Sequence, residues 1–245
     1  MRRACAILVS ACLLLVLGCQ DYDKRLGVTL EEMKYQQRLE KNLEKASTKG
    51  QLEKELIYLR PPKGFSGPTK AFGMVAVEAD KFDVEQTFID ESKSASLHVL
   101  ARHKKPKAPP KKGVTPPAAT PRGDFTTEVI DLVKTAYGTE DLTPSKFKAV
   151  TKKHAGRENI FKEAKLNLNT KEVVIYLFGD KNSPYNVAMI FDYPKAETSA
   201  VSSKISLSLE AFAVGEPAGR AFSGGNPEEA GQEGGADGGQ AAGPI

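Results

Sequence analysis

The chain has 245 residues, 35 lysines and arginines against 31 aspartates and glutamates, and cysteines only at Cys5, Cys12 and Cys19. Beyond Cys19 there can be no disulfide and no cysteine-ligated metal, so a fold there must be held by burial, for which the chain is long enough. The net charge of +4 is local: residues 102–123 hold seven Lys/Arg and no acid, whereas 216–245 hold five acids and one arginine. The high pI therefore comes from one segment and does not indicate a basic face of the kind nucleic-acid binding needs.

The first element is a targeting segment. Arg2 and Arg3 precede an apolar run over residues 4–17, broken only by Ser10. The run is shorter than the ~20 residues a spanning helix needs and suits the apolar region of a secretory signal. It ends in Leu15-Val16-Leu17-Gly18-Cys19 and turns polar at Gln20 and Asp21. This ending resembles the lipobox of bacterial lipoproteins. The resemblance implies a signal peptide over 1–18, cleavage between Gly18 and Cys19, and a lipid on the Cys19 sulfur. Two or more acyl chains give stable anchoring where one is marginal. The expected location is the cell envelope, outside the cytoplasm, with the membrane as a partner through Cys19.

Residues 19–57 read as a lipidated start and a helical spacer. Thr29 and Glu32 have capping-box spacing, and residues 30–46 are rich in good helix formers. Tyr35, Leu39, Leu43 and Ala46 recur at helical spacing, Gly50 interrupts, and a second short helix should end before Pro61-Pro62. A coiled-coil stalk or partner helix is one reading. A spacer or a helix lying on its own domain suits the narrow, short stripe better.

A compact domain is expected over 58–215. Strands are predicted over 71–78 and 96–101. The insertion 102–123 carries six prolines and no apolar period, and reads as disordered. Asp124 can cap a helix to Tyr137, with Phe125, Val129, Leu132, Val133 and Ala136 facing inward and Gly138 ending it. Thr143-Pro144 looks like another helix start, with Phe147 and Val150 inward. Residues 172–178 are nearly all apolar, as in a central strand, and 185–193 follow after turn residues, so 172–193 should be an antiparallel hairpin. Residues 201–212 fit both a helix and a strand; Pro194 and Gly215 around them favour a helix. From 216 to 245 the chain is Gly-rich and acidic and is expected to be a disordered tail.

The fold class is thus α+β, an antiparallel sheet flanked by helices, preceded by N-terminal helices, with a disordered loop and C-terminal tail. The run Arg60-Pro61-Pro62-Lys63-Gly64-Phe65, the middle helix, the hairpin and the closing Lys204-Ile205-Ser206-Leu207-Ser208-Leu209-Glu210-Ala211-Phe212 together resemble the PsbP-like fold, a curved antiparallel sheet between helices. The resemblance spans 58–215, although the insertion and the N-terminal helices depart from the minimal pattern. It implies a binding or assembly-assisting module rather than an enzyme, with no shared catalytic residues to carry over.

The residues themselves suggest no catalytic or cofactor constellation. His98 and His103 should face opposite sides of a strand, and His154 stands apart beside Lys152 and Lys153, as solvated or loop histidines would. Ser202, Ser203, Ser206 and Ser208 sit in no nucleophile elbow. Asp80 to Asp83 and Gly138 to Asp141 could serve as acidic loops for a cation but read better as ordinary solvated turns. The segment with a plausible task is the insertion: Lys104, Lys105, Lys107, Lys111 and Lys112 suit a polyanion, and each cation near an anionic membrane is worth about 1 kcal/mol. It lacks the interleaved aromatics of single-strand nucleic-acid binders. The expected function is a non-catalytic envelope binding module for a protein or cell-wall polymer. A carrier or sensor of a small apolar ligand is the alternative, and a lipid-anchored hydrolase a further one.

Overall fold

The computed structural model describes residues 22, 24–48, 50–69, 81–104, 122–154, 157–180 and 183–224. The chain divides into two compact units, one ending at Asn42 and one beginning at Leu43. In the first, Tyr22 and residues 24–42 are helical and make up α1. It stops earlier than its composition suggests. Leu43 leaves the helix to form an antiparallel bridge with Pro62, and the Glu44 N–H donates to the Pro61 carbonyl at 2.8 Å. Ala46 is therefore not helical, and the second helix is a single turn, α2 (Gln51–Lys54).

The second unit is built on a seven-stranded, wholly antiparallel sheet. Its strands are β2 (Ser66–Thr69), β3 (Val84–Asp90), β4 (Ala95–His103), β5 (Lys148–His154), β6 (Arg157–Asn167), β7 (Lys171–Phe178) and β8 (Tyr185–Pro194), in the order β2-β3-β4-β8-β7-β6-β5. A two-stranded ribbon pairs β1 (Ile57–Tyr58) with β9 (Ala213–Val214). The helices are α3 (Phe125–Tyr137), α4 (Thr198–Ala211) and α5 (Glu216–Phe222). The α+β class is as the sequence reads.

β8 lies at the centre because nine of its ten residues are buried, which suits a strand covered on both faces. On one face Val99, Val174, Tyr176, Val187, Met189 and Phe191 pack with Val201, Ile205 and Leu209 of α4 and with Phe212. On the other, Leu100, Ala164, Val173, Ile175, Ala188 and Ile190 pack with Phe125, Val129, Ile130 and Val133 of α3. α3 begins where Asp124 accepts from the Thr127 N–H at 3.0 Å, and it ends at Gly138, whose φ of 61° an L side chain resists. The 201–212 ambiguity resolves as helix: the Asn159 side-chain amide donates to the carbonyls of Leu209 and Phe212, at 3.3 and 2.8 Å, and satisfies the C-terminal end of α4.

Several expectations need correction. Thr143-Pro144 opens only a 3-10 turn (Pro144–Lys146), and Val150 belongs to strand β5, not to a helix. The hairpin of β5 and β6 was not foreseen, nor was β3. Glu216–Phe222, expected to be part of the tail, is α5, with Ala218 fully buried and the Phe222 ring meeting Tyr58 edge-on at 5.2 Å, and residues 225–245 lie outside the described residues. Arg102 and His103 belong to β4 rather than to the insertion. The predicted strand over 71–78 lies outside the described residues.

Candidate functional site

The insertion leaves β4 after His103 and returns to α3 at one place, where the carboxylates of Asp83 and Glu128 and the carbonyls of Lys81, Gly123 and Pro184 hold its two ends. Arg102 is buried. Its Nε donates to the Lys81 carbonyl and its Nη1 to the Gly123 carbonyl, each at 2.7 Å, and its Nη2 pairs with Glu128 of α3. The guanidinium carbon lies 5.5 Å from the centre of the Phe82 ring and 5.7 Å from that of Phe125. A guanidinium suits this position because its planar fork serves three acceptors while its faces meet aromatic rings. Asp83 ties the two ends together: it accepts both Arg122 Nη groups, at 2.9 and 3.0 Å, and the His103 N–H at 2.9 Å. The Lys104 N–H donates to the Pro184 carbonyl at 2.8 Å. His103 stacks on Tyr185, ring centres 4.2 Å apart, and its Nδ1 lies 3.0 Å from Glu55.

Beneath these ends a concavity of about 700 Å³ opens at the start of α3. Arg102, Lys104, Arg122 and Lys162 line it, opposed by Asp124 and Asp180, with Asn186 and the backbone of Gly179 on its wall. Gly179 has φ 90°, and a Cβ there would stand 2.1 Å from the Tyr185 carbonyl, so the wall at this point needs glycine. Most of the residues that line it are charged or polar, although their carbon stems supply somewhat more than half of its surface, so it offers charge and hydrogen bonds at the tips of the side chains.

Of the residues singled out from the sequence, Lys104 lies at this concavity. Lys105, Lys107, Lys111 and Lys112 lie outside the described residues, as do Gly18 and Cys19. Arg102, Asp83 and Glu128 carried no signal of this role, because the side-chain partners just named are 20 or more residues away in the chain.

At the other end of α3 a second polar network is buried on the same face. His98 is not a solvated or loop histidine: it is buried within β4. Thr87 Oγ1 stands 3.0 Å from its Nδ1 and Ser96 Oγ 2.9 Å from its Nε2, so a neutral ring donates at one nitrogen and accepts at the other. Burial, aided by the charge of Lys171, pushes its pKa down to about 4. A ring this weakly basic makes a poor general base near neutral pH, so the Ser96–His98 contact is internal hydrogen bonding. Beside it the buried Asp192 accepts from the Tyr137 hydroxyl at 3.2 Å and from Lys171 Nζ at 3.1 Å. Burial, then the Asp192 charge, raises the Tyr137 pKa, so the phenol stays protonated as a donor. Among the described residues no group of three or more His, Cys, Asp or Glu could hold a metal ion. Among them no helix is long and apolar enough to cross a membrane.

The elements together define an α+β domain with a charged concavity at the root of a lysine- and proline-rich insertion. No family model matches the sequence, and no curated protein matches it. Solved structures do resemble it in fold. The solution structure of cyanobacterial PsbP (CyanoP) from Synechocystis sp. PCC 6803 is 12% identical with a TM-score of 0.43, covering 71% of this chain and 93% of that one. The Saccharomyces cerevisiae Ran-binding protein Mog1p is 13% identical with a TM-score of 0.34, covering 67% and 93%.

Proposed function

We propose that this chain is a lipid-anchored envelope protein. In this reading its first 18 residues are a signal, Cys19 carries the lipid, and the α+β domain binds an acidic segment of another envelope protein. The observation that carries the binding reading is the concavity between β4, α3 and the two ends of the insertion. Lys104 and Lys162 line it, with Asp124 and Asp180 across from them. Lys105, Lys107, Lys111 and Lys112, close by in sequence, add positive charge with no acid among them. Arg102 and Arg122 are committed to Glu128 and Asp83 and serve to hold the site's shape. In this reading the task is binding, and the Ser96–His98 contact belongs to the interior of the sheet.

The test is in-cell photo-cross-linking of the full-length protein from position 126, on the rim of the concavity. The expected result is one envelope protein captured reproducibly, and lost in the Lys104→Glu/Lys162→Glu variant. Capture of a cell-wall polymer instead would replace the protein partner with a polymeric one. Adducts only within the chain, unchanged by charge reversal, would remove the binding reading of this site.

A further inference from the structure

Helix α1 carries apolar side chains that its own unit leaves in solvent. Tyr22 is 67% exposed, Leu26 44%, Leu30 47% and Met33 53%. At 100° per residue these four lie within a sector of about 80°, so they form one stripe rather than a scatter. The stripe runs about 16 Å, from Tyr22 to Met33, at 1.5 Å per residue. It stops there: the next positions on the same line are Gln37 and Glu40. Arg25 and Lys34 lie about a quarter turn to either side of it, with Glu32 just beyond Arg25 on the same flank and Glu31 towards the opposite side. Val28, also exposed, falls on the opposite side of the helix and does not extend the stripe.

From this pattern we infer that α1 lies in the plane of a membrane surface, with Tyr22, Leu26, Leu30 and Met33 facing the acyl chains. This inference rests on the lipid anchor at Cys19 proposed above. Cys19 is three residues before Tyr22, so a lipid there holds the start of α1 within about 10 Å of the bilayer interface. A helix so tethered can stand away from the membrane or lie on it. A short apolar stripe flanked by cations is the pattern of a helix lying in the interface: the apolar face enters the headgroup boundary, and Arg25 and Lys34 reach sideways to lipid phosphates. A second copy of α1 is a poorer occupant. Its apolar line covers only about three turns, short of the three to four heptads a coiled coil sustains.

The experiment uses the mature, acylated full-length chain in vesicles of phosphatidylcholine and phosphatidylglycerol. Mature chain with an acylated Cys19 has no other cysteine, so single spin labels can be placed by Leu26→Cys, Leu30→Cys and Met33→Cys, with Lys24→Cys, Glu31→Cys and Arg38→Cys as references. Each label's collision rate is read with oxygen, which concentrates in lipid, and with a water-soluble nickel chelate. The expected result is that positions 26, 30 and 33 favour oxygen and positions 24, 31 and 38 favour nickel, with at least a several-fold change in the ratio. If the chain is acylated and floats with the vesicles but all six labels favour nickel, the helix stands off the membrane and the inference fails while the anchor holds. If labels at 30 are shielded from both reagents and lie within about 20 Å of one another, the stripe pairs two copies and the inference also fails. If the intact mass shows no lipid on Cys19, the anchoring reading itself fails, and the inference with it.

Discussion

Under α4 the sheet presents Val99, Tyr176, Met189 and Phe191, and the polar side chains buried beside them, Asn159 and Ser208, serve backbone carbonyls: Asn159 closes the end of α4 and Ser208 donates to the Arg60 carbonyl. Under α3 the same strands present Leu100, Ile175, Ala188 and Ile190, but this apolar patch is bracketed by two buried polar networks, Arg102–Glu128 at one end and His98 with Asp192 at the other. The first face can be understood as structure alone. Burying polar and charged groups costs several kcal/mol per ion unless they are paired, and replacing such a pair by apolar residues often stabilises. The face under α3 therefore carries groups that stability alone does not require. One of its networks is spent on holding the ends of the insertion beside the concavity.

The comparison can be broken in several ways. The largest effect should come from the apolar face. Phe161 is fully buried and meets Tyr176, Phe178 and Phe212 at ring-centre distances of 5.7 to 6.3 Å. Phe161→Ala should cost about 4 kcal/mol, through lost burial and the cavity left, read as a lowered urea midpoint. Next is Arg102→Ala, which should cost about 3 kcal/mol because Glu128 is left largely buried without its partner. Arg102→Ala/Glu128→Ala should cost less than the arginine change alone. An equal or larger cost would show that Arg102 acts through its carbonyl and ring contacts rather than through the ion pair.

His98 sharpens the comparison through pH. Its folded pKa is held down at about 4, below the ordinary histidine value of 6.5, so between these values the unfolded chain binds the proton and the folded chain does not. Stability from this group is present above pH 6.5 and is lost as pH falls towards 4, by at most about 3 kcal/mol. The pH dependence of the urea midpoint should be flatter in His98→Gln than in the wild type over that window. The smallest effect is local: Asp124→Ala removes the cap of α3 and should cost about 1 kcal/mol, read the same way.

The elements legible from sequence were those whose pattern is set by one constant environment. α3 keeps one face to the sheet from Phe125 to Val133, and β7–β8 are buried on both sides, so periodicity and apolar runs sufficed. β6 escaped notice because it changes face halfway. Asn159 and Phe161 are buried on the α4 side, then Ala164 and Leu166 on the α3 side, which destroys a simple alternation. β5 is an edge strand exposed or half-exposed throughout, so it shows no alternation of buried apolar positions. α5 is anchored by small residues such as Ala218, which composition reads as tail. The concavity was legible only as a lysine-rich segment; the clamp that shapes it joins Arg102, Asp83 and Glu128 across the fold, where spacing carries no information.

The claim that this is an anchored envelope protein is tested most directly by the intact mass and N-terminal peptide of the protein recovered from membranes. The account predicts a chain beginning at Cys19, with residues 1–18 absent and a diacylglyceryl group on its sulfur. A chain that keeps residues 1–18, or one cut elsewhere with Cys19 unmodified or lost, would contradict it.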